Sequence, residues 1–528
     1  MSEASNEMFG AASAPAPRPL SLLRCSPAFF AFLVVAADAG RWADPDLWGH
    51  IAFGRLFLHL GRLPPRDIYS YSAFGHPWHD HEWLSEVILA LAYDAGGVLG
   101  LKLLKLACTA TTMTLLAIAA AETGAAIGLQ QLVLATAAVG LGPMMQFRPQ
   151  LFDFIGLSAL LLILARQSYR RSGPLWPAVP LLGLWANLHG GFFIGLAALA
   201  VYTAATAVED WFSGDGYRRA GRLSIAFAVC LLATLVNPYG IMNWATVFHT
   251  LHHPITRAIV SEWQPLTFRI AEDWRKSPLT AINFALALAP LIALAGCFVA
   301  RPRGGDLPLV AVAALMGAGA WVAVRNLALA VIASTVPLCR HAELVGERRG
   351  WRRAAAGERT DPLPHAANQW LIGAIAAGLA AWTGLFSHAL RPGFAVPQGA
   401  VAFMRAHRLK GNVLCDFAWG EYVIFHLAPA AKVFIDARYD MVYPRRVIED
   451  YLNFFLDRSH GAQVLAGYPH DFVLIRPDAP ARALIERGAG WELIYSDSAA
   501  MLFARAGARA AQIDGVPIRG KSRPAFFP

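Results

Sequence analysis

The feature that most restricts this chain is a series of apolar runs, each close to the roughly 20 residues that cross a bilayer as a helix. They fall at residues 20–38, 98–121, 127–146, 150–166, 174–189, 191–210, 222–238, 279–300, 307–323, 325–340 and 368–389. At 528 residues, 56% hydrophobic and 15% charged, the chain is too large and too apolar for one soluble core. The expectation is an α-helical polytopic membrane protein with about eleven transmembrane helices. Residues 1–19 are polar and Pro/Ala-rich, and no small-residue cleavage site closes the run that follows. That run reads as an uncleaved anchor.

A formal charge of +9 could suggest nucleic acid. The basic residues instead gather in short clusters between apolar runs, as topology signals do, so no nucleic-acid partner is expected. Arg18 and Arg24 precede the first run, and Arg166, Arg170 and Arg171 follow the fourth. Arg218, Arg219 and Arg222 follow the sixth, and Arg301 and Arg303 the eighth. Arg348, Arg349, Arg352 and Arg353 follow the tenth. If the runs alternate, all these loops share one face, the cytoplasmic one. The six cysteines show no paired or metal-type spacing and read as small core hydrophobes.

The opposite face collects the polar groups. Its first loop, at 39–97, carries Asp44, Asp46, His50, Asp67, His76, His79, Asp80, His81, Glu82 and Glu86, interleaved with Trp48, Trp78 and Trp83. Apolar residues at helical spacing predict a helix over Leu47–Leu60 ending at Gly61. A second is expected over Glu82–Tyr93, with Asp80 as its cap and Gly96-Gly97 as its close. Both would lie along the membrane surface. Arg148, Asn187 and His189, Asn237, and Arg325-Asn326 fall at span ends on this face. A later loop brings His249, His252, His253, Glu262, Trp263, Asp273 and Trp274.

After residue 396 the pattern shortens into a small α/β domain over 396–506. Strands are expected at 412–416, 432–436, 472–476, 491–495 and 500–504, and helices at 419–426, 444–457 and 480–487. By the span count this domain is extracytoplasmic, the preceding 20–395 forming the membrane domain. The tail at 507–528 is Arg/Ala/Pro-rich and reads as disordered.

Two carboxylates at i and i+2 beside a membrane span cost stability unless solvated, paired or bound to a cation, which makes Asp44 and Asp46 candidate catalytic groups. One could take the proton of an acceptor hydroxyl. The competing reading is that Asp46 only caps the helix that follows and Asp44 is merely solvated. Asp46, His79 and His81 are the candidate ligands of a divalent cation, Mg or Mn. No HExxH spacing is present, so zinc-hydrolase chemistry is not indicated. His50, His79, Asp80, His81, Glu82, Arg148, His189, Glu262 and Arg325 are candidate substrate-binding residues, with Arg148 and Arg325 suited to a phosphate. The tryptophans, Trp263 included, are suited to stacking on sugar rings or to an interfacial belt. Asp416, Trp419, Glu421, Asp436, Arg438 and Asp440 sit near strand ends and read as structural.

An acidic pair directly after the first span, a long loop with two helices, many further spans and a C-terminal domain together resemble the GT-C superfamily of polyprenyl-phosphate-dependent glycosyltransferases. A group of glycosyltransferase-like bacterial membrane proteins is similar in more detail. The stretches that carry this are DPDLWGHIAFGR at 44–55, HPWHDHEWLSE at 76–86, FRPQLF at 147–152, ANLHGG at 186–191, VNPYG at 236–240, SEW at 261–263, RN at 325–326, and DFAWGEYVIF and VFIDARYD within 416–440. The resemblance implies a bacterial inner-membrane enzyme working at the outer face. It would take a polyprenyl-phosphate sugar donor and an envelope glycan, lipid or protein acceptor, with inversion and with Asp44 or Asp46 as the acid-base group. A transporter or flippase of a lipid-linked or anionic substrate, and a non-catalytic membrane scaffold, are the alternatives.

Overall fold

A computed structural model describes residues 42–170, 173–214, 216–252, 260–276, 278–300, 307–349, 390–392, 395–456, 458, 460–488, 490–506 and 518–519. The expected spans at 20–38 and 368–389, the cations Arg352 and Arg353, His253 and the tail at 507–517 and 520–528 lie outside the described residues, as do the side chains of Asp273 and Trp274. The chain divides into two compact units. One comprises residues 1–40, 102–240 and 257–387, the other 41–101, 241–256 and 388–528.

The first unit is helical. It holds the later part of α2 (Trp83–Glu122), then α3 (Ile127–Leu141), α4 (Gln150–Tyr169), α5 (Ala178–Leu188), α6 (Phe192–Ser213) and α7 (Arg218–Ala233). After α8 (Ile241–His252), which belongs to the second unit, come α9 (Leu266–Lys276), α10 (Pro278–Ala300), α11 (Leu307–Val322) and α12 (Leu327–Arg348). Each expected span that falls on described residues coincides with one of these helices. Among the described residues, five helical stretches are long and apolar enough to cross a membrane, and three shorter ones are apolar. The first half of α12 has no charged residue on any side, and every residue from Leu327 to Cys339 is buried. It packs against α3, α4, α10 and α11, as a central helix must when it has no polar face to give to solvent. Its hydroxyls at Ser334 and Thr335 donate back to the Val331 carbonyl, so their burial leaves no donor unmet.

The second unit is built on a six-stranded mixed sheet. Its strands are β3 (Gly411–Cys415), β4 (Ala431–Val433), β5 (Phe472–Ile475), β6 (Trp491–Ser496), β7 (Met501–Arg505) and β8 (Ile518–Arg519), in the order β4-β3-β5-β7-β6-β8. The first three are mutually parallel and β5-β7-β6 antiparallel. Around them lie α13 (Gln398–Ala406), α14 (Phe417–Leu427), α15 (Arg445–Phe455), α16 (Gly461–Gly467) and α17 (Arg482–Arg487). The alternation read from the sequence is present, while α13, α16 and β8 were not anticipated.

The first loop is built into this unit. Its entry strand β1 (Trp42–Ala43) pairs in parallel with β2 (Arg391–Pro392). Further along, Ser70 bridges Val433, and the amides of Tyr71 and Val433 exchange bonds with the Val433 and Tyr69 carbonyls, so residues 69–71 extend the sheet beyond β4. The expected first helix is α1 (Leu47–Leu60), closed by Gly61 in the left-handed region at φ 62°. Its apolar face was expected on the membrane surface. Leu47, Trp48, Ile51, Phe53 and Phe57 are instead buried, and the helix packs on α14, so protein takes the place of lipid. The second expected helix starts at Trp83, and its glycine close is a break at Gly97 (φ 55°, ψ −137°) rather than an end. The break separates residues 83–96 from the apolar run expected to span at 98–121.

Candidate active site

In the second unit α1 and the start of α2 cross, and their contact is close. A Cβ on Gly54 would sit 2.1 Å from the Glu86 carbonyl oxygen, so only glycine permits the crossing. Ahead of α1, the Asp44 carboxylate accepts the Asp46 amide at 3.0 Å, the Asp44 carbonyl accepts the Leu47 amide, and the Asp46 carbonyl starts the helix by accepting from His50. Asp46 stands at the N-cap position, but its side chain makes no capping hydrogen bond. The capping role that the sequence also allowed is thus not how its carboxylate is used.

From α1, the His50 ring reaches across to α2. Its Nδ1 is 3.0 Å from Glu86 Oε1 and 3.8 Å from Glu82 Oε2. His81 Nε2 approaches Glu82 Oε1 at 3.6 Å, and Asp80 accepts the Glu82 amide at 2.9 Å. The helix begins only at Trp83, with the Glu82 carbonyl accepting the Glu86 amide, so the Asp80 bond lies in the turn ahead of it rather than on the amides a cap would take. Burial raises the Asp80 carboxyl above its usual range. Burial, and then the neighbouring Asp80, push Glu86 well up. The α14 helix adds Glu421, also raised well above its usual range by burial and then by Asp46.

Carboxyls crowded in this way must bind protons or a cation. His50, Glu82 and Glu86 each offer one donor atom, and the three atoms lie within 4.8 Å of one another. One imidazole nitrogen and two carboxylate oxygens fit a divalent cation of the Mn or Mg type, with water completing the shell. The residues therefore fit the cofactor expected, through donors other than those expected. Asp46, His79 and His81 are not the group the structure brings together, and His79 is only half-buried in the same segment. Glu82 and Glu86 share a helix face because they are four apart. His50 joins them through the α1–α2 crossing, which no local spacing reveals.

The same unit holds Arg438, which sequence reasoning set aside as structural. Its guanidinium donates to both oxygens of Asp436, pairs with Asp67 at 2.9 Å, and lies over the rings of Phe53 and Trp78. Trp48 and Trp78 are 1% exposed and pack inside the unit, so they offer no open face to a sugar. His249 on α8 pairs with Asp440 at 3.0 Å.

The helical unit holds a second constellation. Arg148 donates to Glu262 at 2.6 Å, and the Arg325 guanidinium lies 4.5 Å from the centre of the Trp263 ring. Burial pulls the Glu262 carboxyl up, but Arg148 and then Arg325 outweigh it and hold the group below its usual range. Three expected site residues from distant parts of the sequence thus meet. His189 belongs to a different group: its Nδ1 is 2.6 Å from Asp153, which also accepts from the Trp185 indole. A Cβ on Gly191 would fall 2.2 Å from that carboxylate, which accounts for the glycine.

No protein-family profile and no curated protein sequence matches the chain. Solved structures do. The archaeal oligosaccharyltransferase AglB from Archaeoglobus fulgidus, in complex with an inhibitory peptide and a dolichol-phosphate, superposes with TM-score 0.54 at 12% identity, over 91% of this chain and 74% of that one. ArnT from Cupriavidus metallidurans, bound to undecaprenyl phosphate, gives 0.50 at 13% identity over 92% and 98%. The arabinofuranosyltransferase AftD from mycobacteria gives 0.50 at 15% identity, over 93% of this chain but 40% of its own length. At such identities the likeness concerns the fold. The chain has the fold of GT-C glycosyltransferases.

Proposed function

We propose that the protein is a membrane glycosyltransferase that moves a sugar from a polyprenyl-phosphate donor to an envelope acceptor. The observation that carries this reading is the gathering of Asp44, Asp46, His50, Asp80, Glu82, Glu86 and Glu421 in one unit of a chain with this fold. Such a concentration of acid is a liability to stability alone. It suits a reaction in which a hydroxyl must lose its proton while a phosphate leaves.

In this mechanism the acceptor oxygen attacks the anomeric carbon as its proton passes to Asp46 or Asp44. The bond from that carbon to the phosphate oxygen breaks, the configuration inverts, and polyprenyl phosphate departs with the electron pair. A divalent cation held by His50, Glu82 and Glu86 would supply charge neutralisation for the phosphate. His79, Asp80 and His81 border the same segment as polar contacts for substrate. In the helical unit Arg148 and Arg325 offer guanidinium groups to a lipid phosphate, Glu262 orients Arg148, and His189 fixes the helix break at ANLHGG. The acidic face and the α/β domain are assigned to the extracytoplasmic side of a bacterial inner membrane.

The test is mass spectrometry of envelope lipids and glycans from cells carrying the wild-type chain, an Asp44→Asn/Asp46→Asn chain, or none. A glycan missing from both the null and the double variant supports the mechanism. A double variant that inserts normally and makes the wild-type pattern sinks it.

A further inference from the structure

Glu421 is buried on α14, beside acids it would be expected to avoid. Its Oε2 accepts the Gly49 amide at 3.2 Å, in the interior. Gly49 is the third residue of α1, and an amide there has no partner within the helix. It is one of the donors that an N-cap side chain ordinarily takes. The N-cap residue is Asp46, and its side chain makes no capping bond.

We propose that Glu421 is a positioning residue that caps α1 from the α/β domain, so that the Asp46 carboxylate is not drawn back onto its own helix and stays oriented for proton transfer. This rests on the transferase reading above. The fit is specific on both sides. A Cβ on Gly49 would stand 2.1 Å from Glu421 Oε2, so residue 49 is kept bare for the incoming carboxyl. A Cβ on Gly420 would stand 2.4 Å from the Ile435 carbonyl oxygen, so the backbone carrying Glu421 is pressed onto the segment after β4. The flanking side chains lock too, with Trp48 and Tyr422 edge to face at 5.1 Å. The residue pair GE at 420–421 thereby acquires a purpose that a domain merely covering the site would not require.

The variants separate this from a structural role. Glu421→Met removes the acceptor, and Asp46 then swings back to cap Gly49. The envelope product, measured at equal membrane levels of the full chain, falls about 10²-fold, while the thermal midpoint of the purified chain is no lower than wild type. Glu421→Gln keeps an acceptor oxygen and retains product within about threefold of wild type. Adding Asp46→Ala to Glu421→Met lowers the midpoint below either single variant, because the side chain that had taken over the cap is then gone. Wild-type product from Glu421→Met, or equal loss in Glu421→Gln and Glu421→Met, overturns the proposal. Should Glu421→Met fail to insert, Gly49→Ala decides: its Cβ displaces the carboxyl and gives the same loss, and normal product from it overturns the idea. Asp44→Asn/Asp46→Asn run alongside keeps the two readings apart. If that double variant is active, the transferase reading fails; if it is inactive while Glu421→Met is active, only this proposal fails.

Discussion

At the scale of single residues, the unit around the acidic loop is decided by where charge is compensated. Arg438 is the cation that faces Asp67 and Asp436, and the Tyr443 hydroxyl donates to the same Asp436 oxygen. Removing it strands two buried carboxylates. Arg438→Met should therefore cost about 3–5 kcal/mol of stability, read as a lowered unfolding midpoint of the full chain in detergent. Arg438→Lys should recover little of this, because a single ammonium cannot serve both acids in the planar, two-pronged way the guanidinium does. An unchanged midpoint in either variant would mean that the network is not what holds loop and domain together. Asp46 shows the converse case. Its position permits a cap, and the structure assigns that amide to Glu421 instead.

At the scale of elements, the sequence was most legible where a signal is local. The α1 helix could be bounded to the residue because its apolar spacing runs from Leu47 to Leu60 and stops at a glycine able to adopt φ 62°. The five strands expected in the α/β domain were placed within about three residues by their β-branched and aromatic runs. The site was less legible, because its parts are set by crossings. His50 meets Glu82 and Glu86 only because Gly54 lets two helices touch, and Glu421 meets Gly49 across 372 positions of sequence. The HDHE cluster drew the metal assignment toward His79 and His81 because residues two apart in an extended segment face one side, whereas His81 lies in the turn that leads into α2. The helix-crossing account makes a direct prediction. Mn2+ titrated into the purified chain and followed by electron paramagnetic resonance should bind, and His50→Ala should weaken that binding at least about tenfold. Equal binding by His50→Ala and wild type would place the cation elsewhere.

At the scale of the molecule, the structure joins the first loop to the C-terminal domain in one compact unit, and that unit should be acid-sensitive in a defined way. His470 lies fully buried. Its Nε2 faces the Val464 carbonyl, which can only accept, so that nitrogen carries the proton and Nδ1 accepts from the Tyr71 hydroxyl at 2.5 Å. Burial lowers its pKa from 6.5 to about 4. The neutral ring is favoured in the folded state, so its contribution is complete above pH 6.5 and is lost as pH falls from 6.5 to 4, about 3 kcal/mol in all. The raised carboxyls of Asp80, Glu86 and Glu421 act with the opposite sign, gaining favour as pH falls. The informative quantity is therefore the difference between wild type and His470→Asn, whose midpoint should depend less steeply on acidification over this window. Parallel curves would show that the histidine does not titrate with unfolding. The central claim, that the acidic unit consumes a lipid-linked sugar, is tested most directly by the donor pool itself. Polyprenyl-phosphate sugars should be extracted and quantified from cells carrying wild-type chain, Asp44→Asn/Asp46→Asn chain or none. One such species should accumulate equally in the last two while its sugar disappears from the envelope; an unchanged donor pool in the double-variant cells, with the protein correctly inserted, would contradict the account.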